Sequence, residues 1–130
     1  MFSQILFNNS PQTIHPFYQA FQVLEDFQAD IIPFKQVLKS KLNLYPNQGK
    51  SILHKEHKDI NTGEEIDNKI MTSVFNFHDC NGGTVVNING KEEKIDSKAN
   101  RLILFDNTYH YGYTQTDIPR RIVLNLNVLK

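Results

Sequence analysis

One stretch near the end of the chain decides the fold: Arg120-Arg121-Ile122-Val123-Leu124-Asn125-Leu126-Asn127-Val128. Successive side chains of a β-strand point to opposite faces, so Ile122, Leu124, Leu126 and Val128 form one apolar face. Arg121 shares the opposite face with Val123, Asn125 and Asn127. A core strand whose second face is this polar predicts a partly wet cavity, in which an arginine can bind a carboxylate through two hydrogen bonds. The alternative is a solvent-facing strand without a ligand.

Seven segments upstream of this stretch have the composition of strands bounded by turn residues. In the first of them, Leu38, Leu42 and Leu44 lie on one side, and Lys39, Lys41, Asn43 and Tyr45 lie on the other. The Asn89-Gly90 turn predicts that two of the segments form a hairpin. The seven segments span about 35 to 45, 52 to 60, 69 to 78, 83 to 88, 91 to 95, 101 to 106 and 109 to 114.

The N-terminal region has a different period. Phe17, Phe21 and Leu24 recur at helical spacing, which predicts an amphipathic helix over about 16 to 28. The sequence therefore predicts one domain over residues 1–130, with a short helical N-terminal part over residues 1–34 and a mainly β core over residues 35–130. Within the α+β class, the expected core is an antiparallel sandwich or barrel.

Composition narrows the classes of protein. A length of 130 residues fits one domain, and 14 basic against 14 acidic residues give no net charge that would favour nucleic acid or an anionic membrane. The single cysteine, Cys80, excludes an intrachain disulfide and any zinc site with several thiolates. No apolar run is long enough for a membrane span, and the first residues lack the pattern of a signal peptide. We expect a cytoplasmic protein that is a monomer or a small homo-oligomer.

Three side chains are candidate metal ligands. His57 and Asp59 are two positions apart, so in a strand both leave the same face and can reach one ion, while Lys58 points away. A second histidine must come from elsewhere, and His110 lies on another predicted strand. Two histidines and one carboxylate form the facial triad of non-haem Fe(II) oxygenases, which leaves coordination positions open for a co-substrate and oxygen. The alternative for His57 and Asp59 is a pair of solvated side chains on an exposed strand.

Five segments occur in a characteristic order from about Lys35 to the C-terminus. They are Lys41-Leu42-Asn43-Leu44-Tyr45-Pro46, His57-Lys58-Asp59, Asn81-Gly82-Gly83-Thr84-Val85-Val86, Asn100-Arg101-Leu102-Ile103-Leu104-Phe105-Asp106 with His110 after it, and Arg121-Ile122-Val123-Leu124-Asn125. As a set, their order and spacing resemble the iron(II)- and 2-oxoglutarate-dependent oxygenases. The resemblance is to the small prolyl 4-hydroxylase-like members of bacteria and marine bacterial viruses.

The resemblance implies a double-stranded β-helix, or jelly-roll, with His57, Asp59 and His110 as ligands of iron. It also implies that Arg121 binds the distal carboxylate of the co-substrate 2-oxoglutarate, with Tyr45 near that carboxylate. Family members place the basic residue slightly closer to the distal histidine, which makes Arg120 a second candidate. The alternation of faces favours Arg121.

The activity implied is Fe(II)- and 2-oxoglutarate-dependent dioxygenation, in which O2 hydroxylates a peptidyl side chain, a nucleobase or a small metabolite and succinate and CO2 are released. One alternative is a catalytically silent jelly-roll that serves as a binding or virion-associated module. Another is a cupin-like metalloenzyme without 2-oxoglutarate, but His57-Lys58-Asp59 stands where a cupin has two histidines.

Overall fold

The alternating segments form two antiparallel β-sheets. A computed structural model of the chain describes residues 1–9 and 12–130. The described residues contain two helices, α1 over Tyr18–Ile31 and α2 over Glu64–Asp67. The strands are β1 Phe2–Asn9, β2 Gln12–Ile14, β3 Gln36–Pro46, β4 Ile70–Asn76, β5 Gly83–Ile88, β6 Lys91–Asp96, β7 Arg101–Asp106, β8 His110–Tyr113 and β9 Arg120–Leu129.

The larger sheet has six strands in the order β2-β1-β3-β9-β4-β7, which places β3 and β9 at its centre. The smaller sheet has three strands in the order β6-β5-β8. Val86 of the smaller sheet packs in one apolar cluster with Val74, Ile103 and Val123 of the larger sheet. The two sheets therefore face each other as a β-sandwich, which confirms the mainly β, antiparallel core.

The two faces of β9 are buried in different surroundings. Leu124 is fully buried with Leu6 and Tyr18 in a cluster that Phe21 and Leu24 of α1 complete. Val123, which precedes Leu124, faces the other way and packs into the apolar cluster between the two sheets. The alternation predicted for this strand is thus confirmed, and the helix covers its apolar face. In β3, a bulge at Leu38 interrupts the predicted alternation. Val37 pairs with Val128 and Lys39 pairs with Asn127, so Leu38 has no paired residue in β9.

Two predictions about secondary structure are wrong. The N-terminal part is not wholly helical, since β1 and β2 precede a helix that begins at Tyr18 and ends at Ile31. β1 pairs along β3, so contacts distant in sequence determine its conformation. Residues 52 to 60 do not form a strand, and their only strand-like pairs among the described residues are isolated bridges at Leu53 and His57.

No helix among the described residues is long and apolar enough to cross a membrane.

Candidate metal centre and cavity

A cavity of about 460 Å³ opens between the two sheets. Its volume lies within the range of small-molecule sites in proteins. The central strands β3 and β9 form one wall, and β8 with the segment before α2 forms much of the other. The lining residues are Met1, Lys41, Asn43, Tyr45, His54, Lys55, Glu56, His57, Val74, Thr84, His110, Gly112, Val123 and Asn125.

The backbones of His57 and His110, which both line this cavity, are joined by two hydrogen bonds. Each donates its N–H to the carbonyl oxygen of the other over 3.0 Å. The pairing brings their rings to a centroid separation of 4.5 Å. His110 belongs to β8, whereas His57 lies outside any strand, so a single bridge in place of a continuous ladder holds the two histidines together.

Asp59 completes the group. Its Oδ1 lies 3.2 Å from Nε2 of His57 and 3.3 Å from Nε2 of His110. Its Oδ2 accepts a hydrogen bond of 3.0 Å from Nδ2 of Asn127 in β9. Burial acts to raise the pKa of the Asp59 carboxyl, but the two histidines and the Asn127 amide outweigh it and hold that pKa well below its usual range. The carboxylate is therefore present at neutral pH.

The second nitrogen of each histidine is already engaged. Nδ1 of His57 lies 3.1 Å from the Lys55 carbonyl oxygen, and Nδ1 of His110 lies 2.9 Å from the Thr108 carbonyl oxygen. A carbonyl oxygen only accepts, so each Nδ1 carries a proton, and Nε2 is the nitrogen of each ring that is positioned to bind a metal.

Two of the three atoms that face the common point lack a hydrogen-bond partner. Nε2 of His110 and Oδ1 of Asp59 are buried without a hydrogen-bond partner. Three ligand atoms, one from each side chain, lie within 4.8 Å of one another. A buried carboxylate oxygen without a hydrogen-bond partner is costly, and a cation beside it removes that cost. The donor set therefore fits a divalent transition metal.

Arg121 lies behind two residues that line the cavity, Tyr45 and Thr84, and pairs with Tyr45 in the β3–β9 ladder. Its side chain is fully buried, and its guanidinium carbon lies 4.8 Å from the centre of the Tyr45 ring. Its hydrogen bonds are long, at 3.3 Å to the Tyr113 carbonyl oxygen and 3.4 Å to the Thr84 hydroxyl. Its Nε has no partner.

No acidic side chain of the described residues pairs with Arg121. Burial lowers the pKa of its guanidinium, which remains the charged form of an arginine. A buried cation without an anion is costly, so the site is suited to an anionic ligand. Arg120 is exposed, as the alternation of faces predicted.

Tyr45 and Gly112 narrow the cavity beside this arginine. A Cβ added at Gly112 would lie 3.0 Å from the Tyr45 hydroxyl oxygen. Glycine at this position therefore leaves room for the tyrosine ring against the guanidinium, where ring and cation attract each other.

His54 and Lys41 also line the cavity, although neither was predicted as a site residue. The ring of His54 contacts Tyr45 edge-on at 5.2 Å between centroids. Burial, the nearby amino terminus and Arg121 lower the pKa of His54. The alternation of β3 contained the signal for Lys41, because it shares a face with Asn43 and Tyr45. The other histidines, His15 and His78, are not in the metal-ligand group.

A hydrogen-bond network holds the residues that follow Asp59. The Asn107 side chain donates to the Ile60 carbonyl oxygen over 2.8 Å and accepts from the Ile60 N–H over 3.3 Å. Lys58 points away from the metal group and pairs with Asp67 over 2.7 Å. Nothing in the local sequence pattern indicated that Asn107 anchors this segment.

Comparison with known proteins places the fold. No protein-family model matches the chain, and no curated protein matches it. An oxidoreductase of the 2OG-Fe(II) oxygenase family from Burkholderia pseudomallei is similar over 97% of this chain and 66% of its own, with a TM-score of 0.70 and 10% identity. A prolyl-4-hydroxylase from Pseudomonas putida is similar over 98% of this chain and 68% of its own, with a TM-score of 0.60 and 13% identity.

A third solved structure is a non-haem monooxygenase in complex with nickel. It is similar over 88% of this chain and 54% of its own, with a TM-score of 0.57 and 12% identity. At these identities the likeness is one of fold. The chain spans about two thirds of the length of the two oxygenases above.

Proposed function

We propose that this chain is an Fe(II)- and 2-oxoglutarate-dependent dioxygenase that hydroxylates a substrate still to be identified. One observation carries the proposal: His57, Asp59 and His110 bring three ligand atoms within 4.8 Å of one another beside a cavity. Two residues that line this cavity, Tyr45 and Thr84, also contact the buried Arg121, which has no acidic partner among the described residues. Two histidines and one carboxylate are the ligand set of non-haem Fe(II) oxygenases. The fold shared with an oxygenase and a prolyl-4-hydroxylase supports the same class.

His57, Asp59 and His110 would hold the iron at the edge of the cavity. Backbone carbonyls fix both histidine rings, and Asn127 fixes the carboxylate, so little reorganisation is needed when the ion binds. When bound, Fe(II) supplies the oxidative chemistry, in which O2 hydroxylates the substrate while 2-oxoglutarate gives succinate and CO2. The protein's own contribution is binding, orientation and exclusion of water.

Arg121 is the proposed partner of the distal carboxylate of 2-oxoglutarate. Its unpaired Nε and its long contacts to Thr84 and Tyr113 leave hydrogen-bond donors for a carboxylate. A carboxylate would also neutralise the buried charge. Tyr45 packs on the guanidinium and limits its orientation, and the apolar side chains of Val74 and Val123 shield the cavity floor from water.

Anaerobic titration with Fe(II), with and without 2-oxoglutarate, tests the proposal. We expect a weak visible charge-transfer band only when both are present, and succinate formation after oxygen is admitted. His57→Ala should abolish the band, and His54→Ala, in the same cavity but outside the ligand group, is the matched control. A protein that binds Fe(II) but produces no band and no succinate would be a silent jelly-roll.

A further inference from the structure

Lys41 lies at the metal end of the cavity. Along the β3–β9 ladder, Tyr45 pairs with Arg121 and Lys41 pairs with Asn125, and Asn127 lies two residues beyond Asn125 on the same face of β9. Because Asn127 binds Asp59, this ladder runs from the arginine end of the cavity to the metal end. Lys41 and Tyr45 are four residues apart, which is about 13 Å in a strand.

The ammonium group of Lys41 has no hydrogen bond or ion pair with any part of the chain that the structure describes. It nevertheless lines the cavity and is only partly exposed. Burial lowers the pKa of this amine, whereas the Asp59 carboxylate acts in the opposite direction. A lysine usually extends its ammonium group into water, so a partly buried one without a partner suggests that an anion belongs beside it.

The formal charges of the complete site lead to the same conclusion. Counting the metal group, Arg121 and the charged side chains that line the cavity, a divalent ion, Arg121, Lys41 and Lys55 bring five positive charges, and Asp59 and Glu56 bring two negative charges. The 2-oxoglutarate dianion would neutralise two of the three that remain. One positive charge is left over in the cavity where the substrate has to bind.

We propose that Lys41 recognises an anionic group, a carboxylate or a phosphate, on the substrate that is oxidised. This inference rests on the proposed function and specifies its substrate class. A charge-assisted hydrogen bond from Lys41 would orient the substrate over the metal. A neutral substrate would leave the ammonium group without a partner in the substrate complex.

The test uses the full chain loaded with Mn(II) and saturated with 2-oxoglutarate, in which no turnover occurs. Calorimetric titration compares three probes of similar shape: benzoate, phenyl phosphate and benzamide. We expect at least one anion to bind tenfold or more tightly than benzamide, and the better anion identifies the group. Lys41→Gln should remove this preference and keep 2-oxoglutarate affinity within about twofold. Lys39→Gln, on the same face of β3 but outside the cavity, should behave like the wild type.

Three outcomes would overturn the inference. The first is equal binding of anions and amide, or no binding of any probe, to the wild-type complex. The second is a preference for anions that survives in Lys41→Gln. The third is a large loss of 2-oxoglutarate affinity in that variant, which would assign Lys41 to the co-substrate. Failure of the proposed function looks different, because the wild-type protein would then bind 2-oxoglutarate no better with Mn(II) than without it.

Discussion

Two regions contribute the site, and they hold their residues in opposite ways. β9 is paired along its length with β3 on one side, and from Val123 to Leu129 with β4 on the other. The ligand segment, which we define as residues 50–62, contains no strand and touches β8 through isolated bridges at Leu53 and His57. A ladder fixes every side chain of β9 at once, whereas individual contacts fix those of the ligand segment. The position of Arg121 therefore follows from the alternation of side chains along a strand. The positions of His57 and Asp59 depend instead on contacts with particular residues.

The largest expected effect is in the ligand segment. Asp59→Ala, His57→Ala and His110→Ala should each abolish Fe(II) or Mn(II) binding and succinate formation, because each removes one of three ligands. Calorimetric titration with Mn(II) measures the loss directly. His54→Ala, His15→Ala and His78→Ala are the controls and should keep metal binding. Loss of the metal in His54→Ala with retention in His57→Ala would reverse the assignment within the segment.

The second effect tests the ladder. Leu124→Ala should lower the free energy of unfolding by about 2 to 5 kcal/mol, since Leu124 is fully buried under α1. Leu53→Ala, in the ligand segment, should cost less than about 0.5 kcal/mol, because Leu53 is 67% exposed. Urea denaturation of both variants makes the comparison. Similar midpoints would show that the two regions do not differ as described.

The third prediction concerns the arginine end of the cavity. Arg121→Ala should weaken 2-oxoglutarate binding by about a hundredfold or more, because two charge-assisted hydrogen bonds are lost. Metal affinity should change little. Arg121→Lys should restore binding only in part, since one ammonium group cannot reproduce the bidentate geometry. Titration of the Mn(II) forms with 2-oxoglutarate gives the constants, and a larger loss in Arg120→Ala would contradict the face assignment.

The smallest effect concerns the anchor of the ligand segment. Asn107→Ala removes both hydrogen bonds to the Ile60 backbone, so metal affinity should fall roughly tenfold while the fold persists. The cost in stability should be about 1 kcal/mol. Mn(II) titration and urea denaturation measure the two quantities. Asn81→Ala, which removes exposed contacts to Thr116 in another loop, is the control and should leave metal affinity unchanged.

The difference between β9 and the ligand segment also explains which features could be predicted from the sequence. Alternation along β9 and β3 predicted the buried Arg121, the apolar cluster around Leu124 and the cavity face of Tyr45. For the ligand segment, the expectation of a strand was wrong, yet His57 and Asp59 still meet. They do so through the bridge to His110 and the hydrogen bond from Asn127, both of which depend on residues distant in sequence.

The remaining errors have the same origin. β1 was expected to lie in a helical part, but its pairing with β3 is a contact between distant segments that no local period reveals. Asn107 gives no signal in sequence, because its role depends on where the backbone of Ile60 passes. The four-residue helix α2 is too short to show a hydrophobic period.

The bridge between His57 and His110 closes a loop of 53 positions with two hydrogen bonds. Closing a loop costs chain entropy, and the ligand segment has little buried apolar surface to offset that cost. An ion shared by both histidines would act as a removable cross-link across the same loop. At a free concentration of about a hundred times Kd, it would stabilise the closed form by about 2.7 kcal/mol. The metal-free protein should then be cut first at Lys55 or Lys58 by trypsin, and metal should protect those bonds, which makes protease resistance a report of occupancy.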